Sequence, residues 1–231
     1  INQFRASTGW GRDTRNDYLL PTRGMLNRIG LEFSFPGSDI AYYKLNYEFE
    51  YYRPLNSWLV FKAATDLGYG DSYGDTGDAG LPFFKNFYAG GPQSVRGFEA
   101  NTLGPSYGTC FTAGCVPSYL QPLGGAVKVT GSFELLFPKL IEAPGTRISA
   151  FMDWGNVFAG SFDYSDYNDT LNGKVYGDES LSLSSLRVSL GVALQWQAPI
   201  GPISISYAIP FNTNDEFDRV EELQFTFGQQ F

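Results

Sequence analysis

Apolar and polar residues alternate along most of this chain. In Val127–Phe137, Val127, Val129, Phe133, Leu135 and Phe137 share one face, while Lys128, Thr130, Ser132, Glu134 and Leu136 share the other. Leu186–Trp196 repeats the pattern, with Leu186, Val188, Leu190, Val192, Leu194 and Trp196 opposing Arg187, Ser189, Gly191, Ala193 and Gln195. Tyr43–Tyr51 sets Tyr43, Leu45, Tyr47, Phe49 and Tyr51 against Lys44, Asn46, Glu48 and Glu50. An extended backbone sends successive side chains to opposite faces, so each segment predicts a strand with one apolar face. Nine such segments run near Phe4–Arg12, Met25–Phe35, Tyr42–Arg53, Trp58–Tyr69, Ala126–Phe137, Thr146–Val157, Ser185–Gln197, Ile203–Ile209 and Leu223–Gln230. Most exceed the roughly 5–6 residues usual in soluble strands and match the roughly 9–11 with which a tilted strand crosses hydrocarbon.

The connections alternate in length. Short ones follow Arg53, Phe137 and Gln197, and long ones lie at Gly70–Gly125, Phe158–Ser184 and Pro210–Glu222. Two depart from the pattern. Pro36–Ala41 is short on the long side, and Asp13–Gly24 is long on the short side. Aromatic residues stand at segment ends: Trp10, Tyr51, Tyr52, Trp58, Tyr69, Trp154, Trp196 and Phe231. Long strands, asymmetric loops and terminal aromatics predict an all-β, antiparallel transmembrane β-barrel, with girdles at the two lipid interfaces. A soluble sandwich or lipocalin-like barrel would show the same alternation with its apolar face turned inward.

Composition narrows the function. The 231 residues carry 16 Lys+Arg, 24 Asp+Glu, a net charge of −8 and no His. An acidic chain lacks the positive field that holds nucleic acid. Without His there is no Ser-His, Cys-His or His-metal arrangement, and two Cys cannot close a zinc site alone. Charged residues make up 17%, below the roughly 25% of soluble domains, which favours the membrane reading. No apolar run approaches the roughly 20 residues of a spanning helix. No basic, apolar leader opens the chain at Ile1, so any export signal is expected outside it. The acidic residues Asp163, Asp166, Asp169, Asp178 and Glu179 fit no calcium-loop spacing and read as a solvated loop.

The connection Gly70–Gly125 is far longer than an unstructured loop of a compact domain. It carries Phe87-Tyr88-Ala89-Gly90-Gly91, Val95-Arg96-Gly97-Phe98 and Asn101-Thr102-Leu103-Gly104-Pro105. Arg96 stands alone among small and aromatic residues. Glu134 and Asp153 lie on the polar faces of the two strands that follow. If the loop folds inward, Arg96 meets both acids, and five guanidinium donors can satisfy two carboxylates.

These motifs, with Pro36-Gly37-Ser38-Asp39, Met152-Asp153-Trp154-Gly155, Ala193-Leu194-Gln195-Trp196 and Tyr207-Ala208-Ile209-Pro210-Phe211, resemble the BamA family over essentially the whole chain. BamA proteins are the central subunits of the machinery that assembles β-barrels in the bacterial outer membrane. The Val95–Phe98 core is similar to that of a wider superfamily, which includes two-partner secretion transporters and organellar import pores. The resemblance implies that Gly70–Gly125 is the sixth extracellular loop, folded into the barrel, with Arg96 packed against Glu134 and Asp153. It implies a last strand, with Phe225, Phe227, Gly228 and the final Phe231, that pairs poorly with the first and forms a lateral gate. It also implies a sixteen-stranded barrel preceded by periplasmic repeats, of which this chain is the C-terminal portion. Two open edges follow, and these are expected either to pair with a second copy or to close into a smaller barrel.

The function implied is non-enzymatic insertion of outer-membrane proteins by strand-edge templating, with no cofactor. The implied partners are outer-membrane lipid, unfolded outer-membrane proteins and the lipoprotein subunits of the BAM complex, in the outer membrane of a Gram-negative bacterium. The alternative is a passive pore or polypeptide transporter with the long loop as plug. An enzyme using Glu134 and Asp153 fits poorly, because Arg96 would hold both ionised. Cys110 and Cys115 are so close that, in an exported chain, they read as a disulfide, with a free pair as the alternative.

Overall fold

The computed structural model describes residues 2–74, 80–109, 120–141, 143–161, 173–177 and 180–228. Cys110, Cys115, Phe231 and the acidic residues 163, 166, 169, 178 and 179 lie outside them.

Among the described residues the strands are, in chain order, β1 (Arg5–Asp13), β2 (Gly24–Ser34), β3 (Tyr42–Pro54), β4 (Val60–Ser72), β5 (Gly97–Phe98), β6 (Ser106–Thr109), β7 (Gln121–Pro122), β8 (Val127–Phe137), β9 (Thr146–Phe158), β10 (Gly173–Tyr176), β11 (Arg187–Ala198), β12 (Gly201–Phe211), β13 (Val220–Glu221) and β14 (Leu223–Phe227). Nine of them form one antiparallel sheet in the order β1-β2-β3-β4-β8-β9-β11-β12-β14. Each long strand therefore neighbours the next long strand of the chain, as hairpin connections require. The short strands belong to the loops: β10, β6 and β7 form one small sheet, and β13 pairs with β5.

The sheet inverts the burial of a soluble protein. On β8, Phe133 and Leu135 are 48% and 39% exposed, while Ser132 and Glu134 between them are 8% and 4% exposed. The same holds on β11, where Leu190, Val192 and Trp196 are exposed and Ser189, Ala193 and Gln195 are buried. An apolar row turned outward on strand after strand suits acyl chains and excludes the soluble sandwich, whose apolar rows would be inside. Outward rings also stack across strands, as in Trp58 with Phe137 and Phe61 with Phe133.

Period two corrects one member of the aromatic set. Tyr51 and Tyr52 are consecutive on β3, so they cannot share a face. Tyr52 turns inward, 2% exposed, and packs with Val60 and Leu136.

The edges also answer an open expectation. Among the described residues β1 pairs only with β2 and β14 only with β12, so the sheet is open rather than closed into a small barrel. The terminal strand is interrupted within the range its pattern predicts, of which Gln229 and Gln230 lie outside the described residues. It ends at Phe227, because Gly228 takes φ 74° and leaves the extended region.

Candidate functional site: the buried charge cluster and its motif turn

The long connection between β4 and β8 packs against the inner face of the sheet through apolar anchors. Ala89, Val95, Phe98, Leu103 and Val157 form a buried cluster, and Tyr42, Leu81, Phe87 and Ala126 form a second. Glycines on the wall make room for it. A Cβ at Gly68 of β4 would lie 2.4 Å from the Phe87 ring, so only glycine lets that ring rest on the strand. Lys44 Nζ stands over the same ring, 3.9 Å from its centre.

Arg96 lies at the centre of this packing and is 7% exposed. Its Nε donates to Asp153 Oδ2 at 2.7 Å and its Nη2 to Asp153 Oδ1 at 2.8 Å, which is the bidentate geometry a lysine cannot reproduce. Its backbone N donates to the same Oδ2 at 3.1 Å. Nη2 also lies 3.3 Å from Glu134 Oε1 and 3.3 Å from Ser132 Oγ. The guanidinium carbon sits 3.4 Å from the centre of the Phe151 ring, so the planar cation is stacked as well as paired. The structure thus brings together the three charged residues singled out in the sequence, on the loop, β8 and β9.

Alternation along single strands did not reveal three further members. Lys62 on β4 pairs directly opposite Glu134 in the β4–β8 ladder, and its Nζ lies 3.0 Å from Oε1. Ser132 Oγ donates to Asp153 Oδ1 at 2.6 Å. Phe151, two residues before Asp153 on the inner face, supplies the ring under Arg96. Register could have exposed Lys62, since a buried lysine opposite a buried glutamate is the expected pairing once β4 is aligned on β8. With two cations and two anions, the cluster is electrically neutral. Burial opposes the charge on Arg96, but Glu134 and Asp153 outweigh it and hold the guanidinium protonated well above its usual range.

Val95 is fully buried beside Arg96. Gly97 follows at φ 91°, where a Cβ would stand 3.1 Å from Ala208 Cβ and 3.5 Å from Ser189 Cβ. The turn therefore needs glycine for both its dihedral and its clearance from β11 and β12. Gly97 and Phe98 form β5 and pair with β13, just ahead of the terminal strand. Phe225 and Phe227 on β14 are 63% and 51% exposed and face outward, and Gly228 N donates to Pro202 O at 2.9 Å. Among the described residues no group of three or more His, Cys, Asp or Glu could hold a metal ion.

The Omp85 superfamily domain model matches residues 2–231. The chain belongs to the Omp85 superfamily. It is similar to the outer membrane protein assembly factor BamA of Neisseria meningitidis serogroup B, at 35% identity over 99% of this chain and 29% of that protein. It is also similar to the human sorting and assembly machinery component 50 homolog, at 33% identity over 63% of this chain and 29% of that protein. Among solved structures, the crystal structure of BamA from Haemophilus ducreyi lacking POTRA domains 1–3 matches with a TM-score of 0.79 and 32% identity, over 99% of this chain and 42% of that one. The Omp85 chain described here therefore spans less than a third of the curated relatives' length.

Proposed function

We propose that this chain is the membrane-embedded, C-terminal barrel portion of an outer-membrane protein assembly factor of a Gram-negative bacterium. It acts without covalent chemistry, by offering a strand edge on which an incoming strand forms its backbone hydrogen bonds. The observation that carries this reading is the match of nearly the whole chain to outer membrane protein assembly factors. Within it β14 is held to β12 by a ladder of only five residues, a weakly paired strand whose edge opens readily. Unpaired backbone groups at membrane depth cost several kcal/mol each, so such an edge favours pairing with another strand. Addition of an extended segment to a free edge supplies main-chain hydrogen bonds whatever the side chains, which suits a machine with many substrates.

Arg96, Glu134 and Asp153 have the role of a tether. They hold the motif turn of residues 95–98 against the inner wall, and their pairing, completed by Lys62, suits support rather than acid–base catalysis. The substrates are unfolded outer-membrane proteins, and the accessory partners are the lipoproteins of the BAM complex. The name of the bacterial relatives, outer membrane protein assembly factor, supports the first assignment, and the second follows from the resemblance to BamA.

Crosslinking tests the reading. A photoreactive group at Phe225 or Phe227 should capture an unfolded barrel substrate during its insertion. If neither position captures substrate, and deletion of residues 90–105 merely raises ion conductance, the chain is a plugged pore instead.

A further inference from the structure

The buried amide of Gln224 is required neither by the charge cluster nor by the sheet ladder. Gln224 lies on the inner face of β14 and is 2% exposed. Its Nε2 donates to Phe98 O at 2.7 Å, and its Oε1 accepts from Gly97 N at 3.4 Å. The side chain thus reads the motif turn as a strand neighbour would, with one donor and one acceptor against successive backbone groups. The same turn is bound to the segment that leads into β14. Val220 pairs with Phe98 and Glu221 with Gly97, and Glu99 N donates to Arg219 O at 2.9 Å.

One residue away, the Arg96 side chain is fixed to β8 and β9. Between these attachments lies Gly97, where an added methyl group would press on Ala208 at 3.1 Å and touch Ser189 at 3.5 Å. A turn gripped at both ends and pressed on a wall in the middle has little freedom to absorb displacement, because packed interiors transmit strain. Meanwhile β14 is tied to β12 by a ladder of only five residues, so its position depends on what supports it from within.

We propose that Gln224 is a positioning residue for the strand edge, through which the charge cluster on β8 and β9 sets where β14 lies. The proposal rests on reading β14 as the templating edge. Arg96 anchors the turn, the turn holds Gln224, and Gln224 holds the inner side of β14.

The test is backbone hydrogen exchange on the full-length protein in phospholipid vesicles, with Gln224→Met and Arg96→Met. Both variants should speed exchange at Leu223–Phe227 by about tenfold, the loss of one or two buried hydrogen bonds. The effect of Arg96→Met is the sharper sign, since Arg96 makes no hydrogen bond or ion pair with β14. Should Arg96→Met fail to fold, Gln224→Met decides through the reciprocal effect, because coupling between two sites runs both ways. That variant should raise protease cleavage within residues 90–105. Unchanged exchange at β14 in Gln224→Met overturns the proposal and leaves the templating reading intact. The same vesicles are then given an unfolded eight-stranded barrel. Slower insertion alongside faster exchange supports the positioning role. Faster exchange with unaltered insertion overturns that role, together with the reading of β14 as the working edge.

Discussion

Lys62 and Glu134 face each other directly across the β4–β8 ladder, with Nζ 3.0 Å from Oε1, and both are buried. Arg96 reaches that same oxygen at 3.3 Å. Charge balance predicts how the pair responds to substitution. Lys62→Met leaves one cation against two anions, and Glu134→Gln leaves two cations against one anion. The double variant returns to one of each. Breaking a buried pair from one side costs roughly 3–5 kcal/mol, mostly the penalty of the charge left behind. The double variant should therefore be more stable than the sum of the singles by at least about 2 kcal/mol, read from denaturant unfolding in vesicles. Additive effects would mean that the two charges are independent.

Arg96→Ala has a specific consequence set by this partition. Glu134 retains Lys62, so Asp153 is the carboxylate that loses its ion pair and keeps only Ser132 Oγ and a backbone N–H. Arg96→Ala should increase protease cleavage within the motif loop. Adding Asp153→Asn should recover more protection than adding Glu134→Gln. Arg96→Lys should resemble Arg96→Ala, since an ammonium cannot make the bidentate contact. Equal recovery from the two second-site changes would contradict the partition.

The strands were legible because most carry a period of two over nine or more residues, a signal that turns and loops do not imitate. Glu134 and Asp153 were legible for the same reason, since alternation alone assigns them to the polar face. Tyr52 was misplaced where a compositional argument about strand ends was applied without the period. Lys62 and Gln224 escaped because their roles depend on which strand lies beside which, and register is set by ladders and loop lengths. The end of β14 also depends on one dihedral, at Gly228, which composition flags only as a possibility.

Two glycines, Gly68 on the inner wall and Gly97 in the motif turn, should fail for different reasons. Gly68 has no left-handed dihedral, so Gly68→Ala is opposed first by the Phe87 ring, 2.4 Å from the new Cβ. Removing that ring with Phe87→Ala should therefore relieve the added clash, leaving the cost of the lost aromatic. Gly97→Ala is opposed by Ala208 at 3.1 Å and by its φ of 91°. Ala208→Gly should restore only part of the stability, because the dihedral cost of about 1 kcal/mol or more remains. Melting temperatures of the four single and double variants check both statements.

The unusually long link between β1 and β2 acts as a bar across the short-turn end of the sheet. It is braced internally: Asn16 Oδ1 accepts from Thr22 N and Arg23 N, and Asp17 Oδ1 accepts from Leu19 N and Leu20 N. It is braced externally at two points. Arg15 Nη1 lies 2.9 Å from Glu50 Oε2 on β3. Arg147 Nη1, on β9, donates to Pro21 O at 3.2 Å while its Nε donates to Gln195 Oε1 at 2.5 Å. β3, β4 and β8 separate β2 from β9 in the sheet, so the Arg147 contact spans the mouth rather than following the wall. Arg147 is 3% exposed, and Leu20, Pro21 and Thr22 close a cavity with Val60, Leu136 and Thr146. Arg147→Ala removes the far attachment and leaves the near one at Arg15. The link should then swing from its inner end. In vesicles with the short turns facing outward, added protease should cut within residues 14–23 of the variant and spare the parent. A cysteine placed at Ala64, on the inner face of β4 and lining the inner cavity, should react faster with a bulky, membrane-impermeant maleimide in the variant, with the native Cys110 and Cys115 replaced by serine in both proteins. Unchanged cleavage and labelling would show that the bar holds without its arginine, and that closure of this end rests on Arg15 and the turn's own hydrogen bonds.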